Sequence, residues 1–529
     1  MAKARTNSGI APYVGPWDKA AVLHLLRRVH FGVVKDDVTF FKGMFLSQAV
    51  DNILTIDYTP PAPPINNYND RAPDPNIPAG STWVNDYNGQ LNNQRMRSYK
   101  MWWSGQIINQ DRSIREQMVL FWHNHFSTQA DVISWGNFGY QNNATLRKNC
   151  LKNFKTLLKD MTLDPAMLIF LNGERNTSTA PDENYSRELQ ELFTLGKGPD
   201  SNYTESDVIT GAKVLTGWRL NKQNGNVYFQ ENRHDTTDKQ FSSFYNNTVI
   251  TGQTGATGGE QELDAMLDMI MAQNEVAKHI VRKLYRWFVY YDIDEATEIN
   301  VITPLATIFR NGNYEIKPVL EALFKSEHFF DIANRGALIK NPASFTHGLC
   351  RTFNLPLPES TDFVNQYNAW GNFASFSTLL QQELGDPPSV AGWPAYYQIP
   401  QYHELWINSD TLPKRNRITD ILTTYGYNYT GYSLKIDAVN FAESFSSVAD
   451  PSAFIDELLE LLHTLPAEEN QKAYMKTILL SGQIKDHYWS DAWTAYINDK
   501  TNETKKTVVS QRILFLLKYL MNLGEYQLS

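Results

Sequence analysis

Cysteine is almost missing from this chain: 529 residues hold two, Cys150 and Cys350. Thiols that far apart define no disulfide framework and no cysteine-based metal motif, and they fix no redox compartment. Long apolar runs are missing too. No stretch offers the ~20 apolar residues of a membrane span, and the opening MAKARTNSGIAPYVGPWDKAAVLHLLRR is interrupted by Asp18, Lys19, His24 and the arginines before a signal-peptide core can form. Taken literally, this is a cytoplasmic protein, with export by another route left open. Basic runs are lacking as well, since 48 Lys and Arg face 57 Asp and Glu for a net charge of −9. Binding a phosphate backbone needs clustered cations that release counterions, so nucleic acid is excluded as a partner. The Gly-rich run TGQTGATGG lacks the Gly-Lys-Ser/Thr ending of a phosphate loop, HELW at His403 lacks a zincin's second histidine, and no G-x-S-x-G elbow occurs.

What the sequence does hold is apolar and aromatic mass. Hydrophobic residues make up 42% and aromatics 13%, with 13 Trp and 27 Tyr, a composition that packs and that can also line a binding cleft. Strand signals are few, such as 227–230, while helical periodicity recurs at 17–30, 47–53, 96–109, 114–126, 145–162, 165–171 and 206–218, and again through most of 263–521. The expected fold is therefore mainly α, with two or three tightly packed helical subdomains, long loops and few short strands. Composition divides the chain into N-terminal helices (1–58), a Pro- and Asn-rich loop (59–95), a motif-bearing helical core (96–260), a second helical subdomain with the DPPSVAGWP loop (261–430) and a C-terminal helical segment (431–529). In the 114–126 helix, Ser113 and Glu116 have the spacing of a capping box.

One helix, 181–196, reading PDENYSRELQELFTLG, organises the rest. At about 100° per residue, Tyr185, Leu189, Leu192 and Phe193 fall on one arc and Glu183, Asn184, Arg187 and Glu191 on the other, with Glu188 at the border. Asp182 is placed to cap its start and Gly196 to end it in a left-handed turn. An acidic face of this kind is ordinarily solvated and laced by Glu183–Arg187 and Arg187–Glu191 pairs. In FWHNHF, a regular helix sets His123 and His125 about 200° apart, so the two share one metal only if the helix ends or bulges there. HDTTDK crowds His234, Asp235, Asp238 and Lys239 into a loop. Histidines and carboxylates on separate elements suit a divalent metal such as Zn, Mn or Fe, and they equally suit metal-free acid–base chemistry. In DPPSVAGWP, prolines restrict the backbone, Gly392 permits close approach and Trp393 offers a stacking face.

The ordered set HLLRRVHFG, LFWHNHFST, LKDMTLDPAML, DENYSRELQELFTLG, VLTGW, HDTTDK and DPPSVAGWP, from His24 to Arg417, resembles the bacterial family of unknown function designated DUF1800. The resemblance singles out His123, Asn124, His125, Glu183, Asn184, Arg187, Glu188, Glu191, Trp218, His234, Asp235, Lys239, Gly392 and Trp393. Where the family has Ala-Arg before its Leu-Thr-Gly-Trp, this chain has Ala212-Lys213. The family is encoded beside proteins resembling sulfatases and phosphatases, which implies such a protein as partner and a role on glycans or other surface polymers.

Two functions follow. In the first, a hydrolase or transferase acts on a glycan or a sulfated or phosphorylated polymer. Glu188, Glu191, His123 and Asp235 carry its chemistry, Arg187, Asn184, Lys239, Trp218 and Trp393 hold substrate, and His123, His125 and His234 bind a metal where there is one. In the second, a non-catalytic binding or assembly protein uses the motif residues as a buried ion-pair network. The first function requires the acidic helix, the FWHNHF histidines and the HDTTDK loop to converge in one concave site.

Overall fold

The first helix shows how local chemistry sets the elements. Asp18 accepts a hydrogen bond from the Ala21 N–H at 2.9 Å, opening helix Lys19–Val29; Val22, Leu25, Leu26 and Val29 are buried, and Arg27 and Arg28 sit in its last turn, where cations suit the dipole. The computed structural model describes residues 5–529. Helices dominate throughout, and among the described residues the strands make three antiparallel two-stranded ribbons: Trp218–Asn221 with Asn226–Phe229, Lys239–Gln240 with Val249–Ile250, and Tyr427–Tyr429 with Tyr432–Leu434. The mainly α class expected from the sequence is the class observed. A connected core of buried side chains runs from Ala21 to Tyr526. Among the described residues, no helix is long and apolar enough to cross a membrane.

Helix Asn92–Ile108 is a hub, flanked by Gly136–Asn149 and by Phe363–Leu379. The last contact depends on glycine on both sides: a Cβ at Gly105 would lie 2.5 Å from the Trp370 ring, and one at Gly371 would lie 2.9 Å from the Met101 methyl. The 59–91 loop wraps this helix. Trp102 donates to the Ala62 carbonyl (2.7 Å), Trp83 to the Ile65 carbonyl (3.1 Å), and buried Arg95 pairs with Asp74 (3.0 Å) and Asp86 (2.6 Å).

Three local expectations are corrected. The single helix read at 145–162 is two, Gly136–Asn149 and Phe154–Thr162, because Asn153 caps the second by accepting from Thr156 N–H (3.1 Å) while Phe154 N–H donates to the Tyr314 carbonyl (2.9 Å). The capping box at Ser113 does not form: helix Arg115–His125 starts without it, and Glu116 is drawn instead into a buried bidentate pair with Arg147, with Oε2 2.7 Å from Nη2. The 206–218 helix ends at Val214, and Gly217 at φ +93° turns the chain into the strand that Trp218 begins.

Candidate functional site

The acidic helix changes winding along its length. Asp182 accepts from Asn184 N–H (3.0 Å), Asn184–Glu188 is α-helical, Leu189–Thr194 is π-helical, and Gly196 ends it at φ +77°. The wider winding is fixed within the helix by Thr194 Oγ1 donating to the Leu189 carbonyl (2.5 Å) and Leu195 N–H to the Gln190 carbonyl (2.9 Å), and from outside it by the Tyr245 hydroxyl donating to Gln190 Oε1 (2.7 Å). Its terminal carbonyls are taken by side chains of other helices. His279 Nε2–H and Lys283 donate to Leu192 O, each at 3.1 Å, and His125 Nε2–H donates to Phe193 O at 3.1 Å. Lys283 also donates to His125 Nδ1 at 3.0 Å, so both ring nitrogens of His125 are engaged. Burial, then the charge of Arg286, pulls the Lys283 ammonium down to about 7, and burial followed by Lys283 holds His125 well below the usual imidazole range.

The outward face keeps its charges. Arg187 pairs with Glu183 (3.1 Å) and with Glu205, a partner eighteen positions away. The expected Arg187–Glu191 pair is replaced by Glu191–Lys197 at 2.5 Å. Glu188 is half-buried, and its Oε2 has no hydrogen-bond partner; burial first and Glu191 second raise its carboxyl above the ordinary value. Asn184 is exposed.

His123 lies elsewhere. The helix delivers the expected opposition: His123 is enclosed against Trp103 (ring centroids 5.1 Å apart) and Trp393 (6.1 Å), with no partner on either nitrogen. Burial, then Lys100, depresses its imidazole to about 3. Trp393 is 1% exposed, and its backbone N–H donates to Asn124 Oδ1 at 2.9 Å. Gly392 makes that contact possible, since at φ +91° a Cβ would fall 2.4 Å from the same oxygen. DPPSVAGWP is therefore a clasp on the end of the FWHNHF helix, and its indole faces His123 rather than solvent.

HDTTDK forms a third cluster. His234 Nδ1 lies 2.9 Å from the Thr216 carbonyl and Nε2 lies 3.0 Å from Glu262 Oε1, while Lys239 Nζ faces Glu262 Oε2 at 2.7 Å as an ion pair outside hydrogen-bond alignment. All three side chains are buried. Burial pushes the Asp235 carboxyl up, but the Thr237 hydroxyl (2.6 Å) and N–H (2.9 Å), with Lys239, hold it below the usual range. Trp218 packs on Phe229 at 5.3 Å, its Nε1 buried without a partner. Glu262 was absent from the sequence reading, although it shares a helical face with the buried Met266, Met269 and Ile270. A carboxylate on an apolar stripe demands a cation, and that was the available signal.

The three histidines thus occupy three separate surroundings. Among the described residues, no group of three or more His, Cys, Asp or Glu side chains is placed to hold a metal ion. The residues present do not fit a shared metal. Helix Glu205–Val214 is interposed between the acidic helix and the Lys239–Gln240 strand, touching the first so closely that a Cβ at Gly211 would lie 2.4 Å from Ser186 Oγ. The segment before the acidic helix ties it to its neighbours: Asn176 Oδ1 accepts from Asp182 N–H (3.0 Å), Asn176 Nδ2 donates to Ala212 O (2.8 Å), and Ser178 N–H donates to Arg233 O (2.8 Å).

A cleft of about 780 Å³ opens beside this core, between the start of the 59–91 loop and the Trp218–Phe229 hairpin. Tyr58 and Tyr228, each more than a third exposed, line it together with Tyr140, Arg115, Gln141 and Lys148.

No curated protein and no solved structure matches the chain. One family does, and its match takes in every motif just placed as well as the C-terminal helices beyond Arg417, where the sequence reading had stopped: over residues 24–528 the chain belongs to the family described as Protein of unknown function (DUF1800).

Proposed function

We propose that this protein binds a glycan carrying sulfate or phosphate groups, and that its motif residues build the frame rather than the chemistry. The observation that carries this is the engagement of the motif side chains with one another and with their neighbours. His125 is locked between Lys283 and Phe193 O, His234 and Lys239 are closed on Glu262, and Trp393 is shut against His123. Buried charged groups satisfied in this way hold helices together, and removing one partner costs about 3–5 kcal/mol with no catalysis involved. The open 780 Å³ cleft supplies what the motifs do not, namely the partly exposed rings of Tyr228 and of Tyr58, whose one face Lys152 covers, for sugar rings, and the cations Arg115 and Lys148, which acidic substituents would share with Asp111 and Asp160. A sulfatase- or phosphatase-like partner would then act on the polymer held there.

Affinity electrophoresis against dextran sulfate, with uncharged dextran as control, tests this reading. Tyr58→Ala and Tyr228→Ala should each weaken retention by about tenfold, and unchanged retention in both would refute it.

One observation favours a second reading, hydrolysis or transfer at the acidic helix. Glu188 is raised and unpaired while Glu191 is tied to Lys197, and two carboxylates in unlike surroundings are the arrangement of an acid and a base. Turnover of a sulfated or phosphorylated glycan that disappears in Glu188→Gln, with retention on dextran sulfate intact, would establish it.

A further inference from the structure

Outside the three motif clusters, four cations, two of them arginines of the HLLRRVHFG segment, converge on one small cavity. Arg27 and Arg28 come from the end of the first helix, Arg286 from helix Asn274–Phe288, and Lys340 from the turn before helix Pro342–Thr352. None has a side-chain carboxylate within 4.0 Å among the described residues. The nearest acids are committed or distant: Glu460 attracts Arg27 but is bound to Lys19, and Glu298 and Asp292 influence Arg286 from beyond that limit. The cations rest on backbone carbonyls instead. Arg28 donates to Val289 O (3.2 Å) and Asn334 O (2.6 Å), Arg286 to Tyr291 O (3.2 Å), and Lys340 to Tyr526 O (2.5 Å).

Three further donors at this cavity have no acceptor. Arg28 is 4% exposed and its Nε is unpartnered. The Tyr396 hydroxyl is buried and unpartnered. His403 Nδ1 accepts from Ile339 N–H at 3.2 Å, which puts the ring proton on Nε2, and Nε2 is also buried without a partner. Buried donors without acceptors are costly, and several around one cavity mark the place of a missing acceptor.

We propose that this cavity binds a tetrahedral oxyanion, phosphate or sulfate, either free or as the ester group of a larger molecule. Its volume of about 40 Å³ decides the size class: one water needs about 10–15 Å³ by this measure, so the space suits a group of about three waters and not a sugar ring. Charge decides the sign, and the forked guanidinium donors suit oxyanion edges. The titration of the lining agrees. Burial lowers Arg28 to about 9 and Lys340 well below its ordinary value, and burial followed by Arg28 lowers His403 to about 4, shifts that a bound anion would reverse. The site is independent of the glycan cleft.

The test is isothermal titration of the full chain, dialysed into chloride at fixed ionic strength, with inorganic phosphate, inorganic sulfate and glucose 6-phosphate, and with glucose as control. Saturable binding of at least one anion is expected, and it should weaken about tenfold or more in Lys340→Met and in Arg286→Gln. Lys340→Met should melt no lower than the wild type without anions, because it removes a buried cation that lacks a counterion. Binding of the inorganic ions assigns a free ion as ligand, and binding of glucose 6-phosphate alone assigns an ester. Absence of saturable binding by all three would overturn the proposal. So would unchanged affinity in Lys340→Met or, should that variant not fold, in Arg286→Gln.

Discussion

Single residues in this protein carry large, signed titration effects. Asp164 caps helix Pro165–Phe170 through Oδ1, which accepts from Ala166 N–H (3.0 Å) and Met167 N–H (3.1 Å), while Oδ2 is buried and unpartnered; burial raises the carboxyl from 3.8 to about 6. The fold therefore holds a proton that the unfolded chain has lost between those values. This group's contribution to stability is complete below pH 4 and is lost as pH rises through 6, a change of order 3 kcal/mol. Asp164→Asn keeps Oδ1 and cannot ionise. Urea unfolding should show the variant gaining on the wild type by about that amount between pH 4 and pH 7, and a pH-independent difference would contradict the assignment. Glu188 shifts in the same direction, so Glu188→Gln should hold or raise the melting temperature at neutral pH; melting several degrees lower would show that its charge is needed where it stands.

At the scale of elements, the junctions depend on close approach and on captured carbonyls. Gly392→Ala must fit a Cβ against Asn124 at a positive φ, so it should destabilise by more than about 1 kcal/mol and change the emission of the buried Trp393. A spectrum and unfolding midpoint like the wild type's would mean that the clasp can shift without cost. The end of the π-helix is held by Lys283, whose ammonium is lowered from 10.5 to about 7. Between those values the unfolded chain binds more protons, so stability rises with pH across the window. Lys283→Met should remove that rise when unfolding is followed from pH 7 to pH 10.

For the whole molecule, the decisive joints are buried charges that connect distant segments. Glu262 ties helix Gly258–Met271 to the HDTTDK loop through His234 and Lys239. Glu262→Gln strands the Lys239 ammonium and should cost about 3–5 kcal/mol in denaturant unfolding, while adding Lys239→Met should recover part of the loss. If the double variant were no more stable than Glu262→Gln, the two groups would not be coupled.

The sequence by itself determined what local forces settle. Helical periodicity set the mainly α class, and side chains within three residues set the caps at Asp18 and Thr204 and the Asp182–Asn184 turn ahead of the acidic helix, whose own N-cap position, Glu183, makes no side-chain cap bond. Gly196 announced a turn that only a residue without a Cβ takes easily, whereas Gly217, read as part of the 206–218 helix, makes its turn at φ +93° beyond the helix end. Helix Phe363–Leu379 escaped the reading because its faces are alike in polarity and leave no stripe to detect, since packing on the 92–108 helix rather than amphipathicity sustains it. The π winding at Leu189–Thr194 was equally hidden, being fixed by Tyr245 and by histidines and a lysine on other helices. Only tertiary structure decided which groups meet. Glu116 had a capping partner three residues away and took Arg147 instead, and His123, His125 and His234 went to three different places. A charge or imidazole withdrawn from water takes whichever partner the packed core brings within about 3 Å, and sequence spacing does not encode that distance.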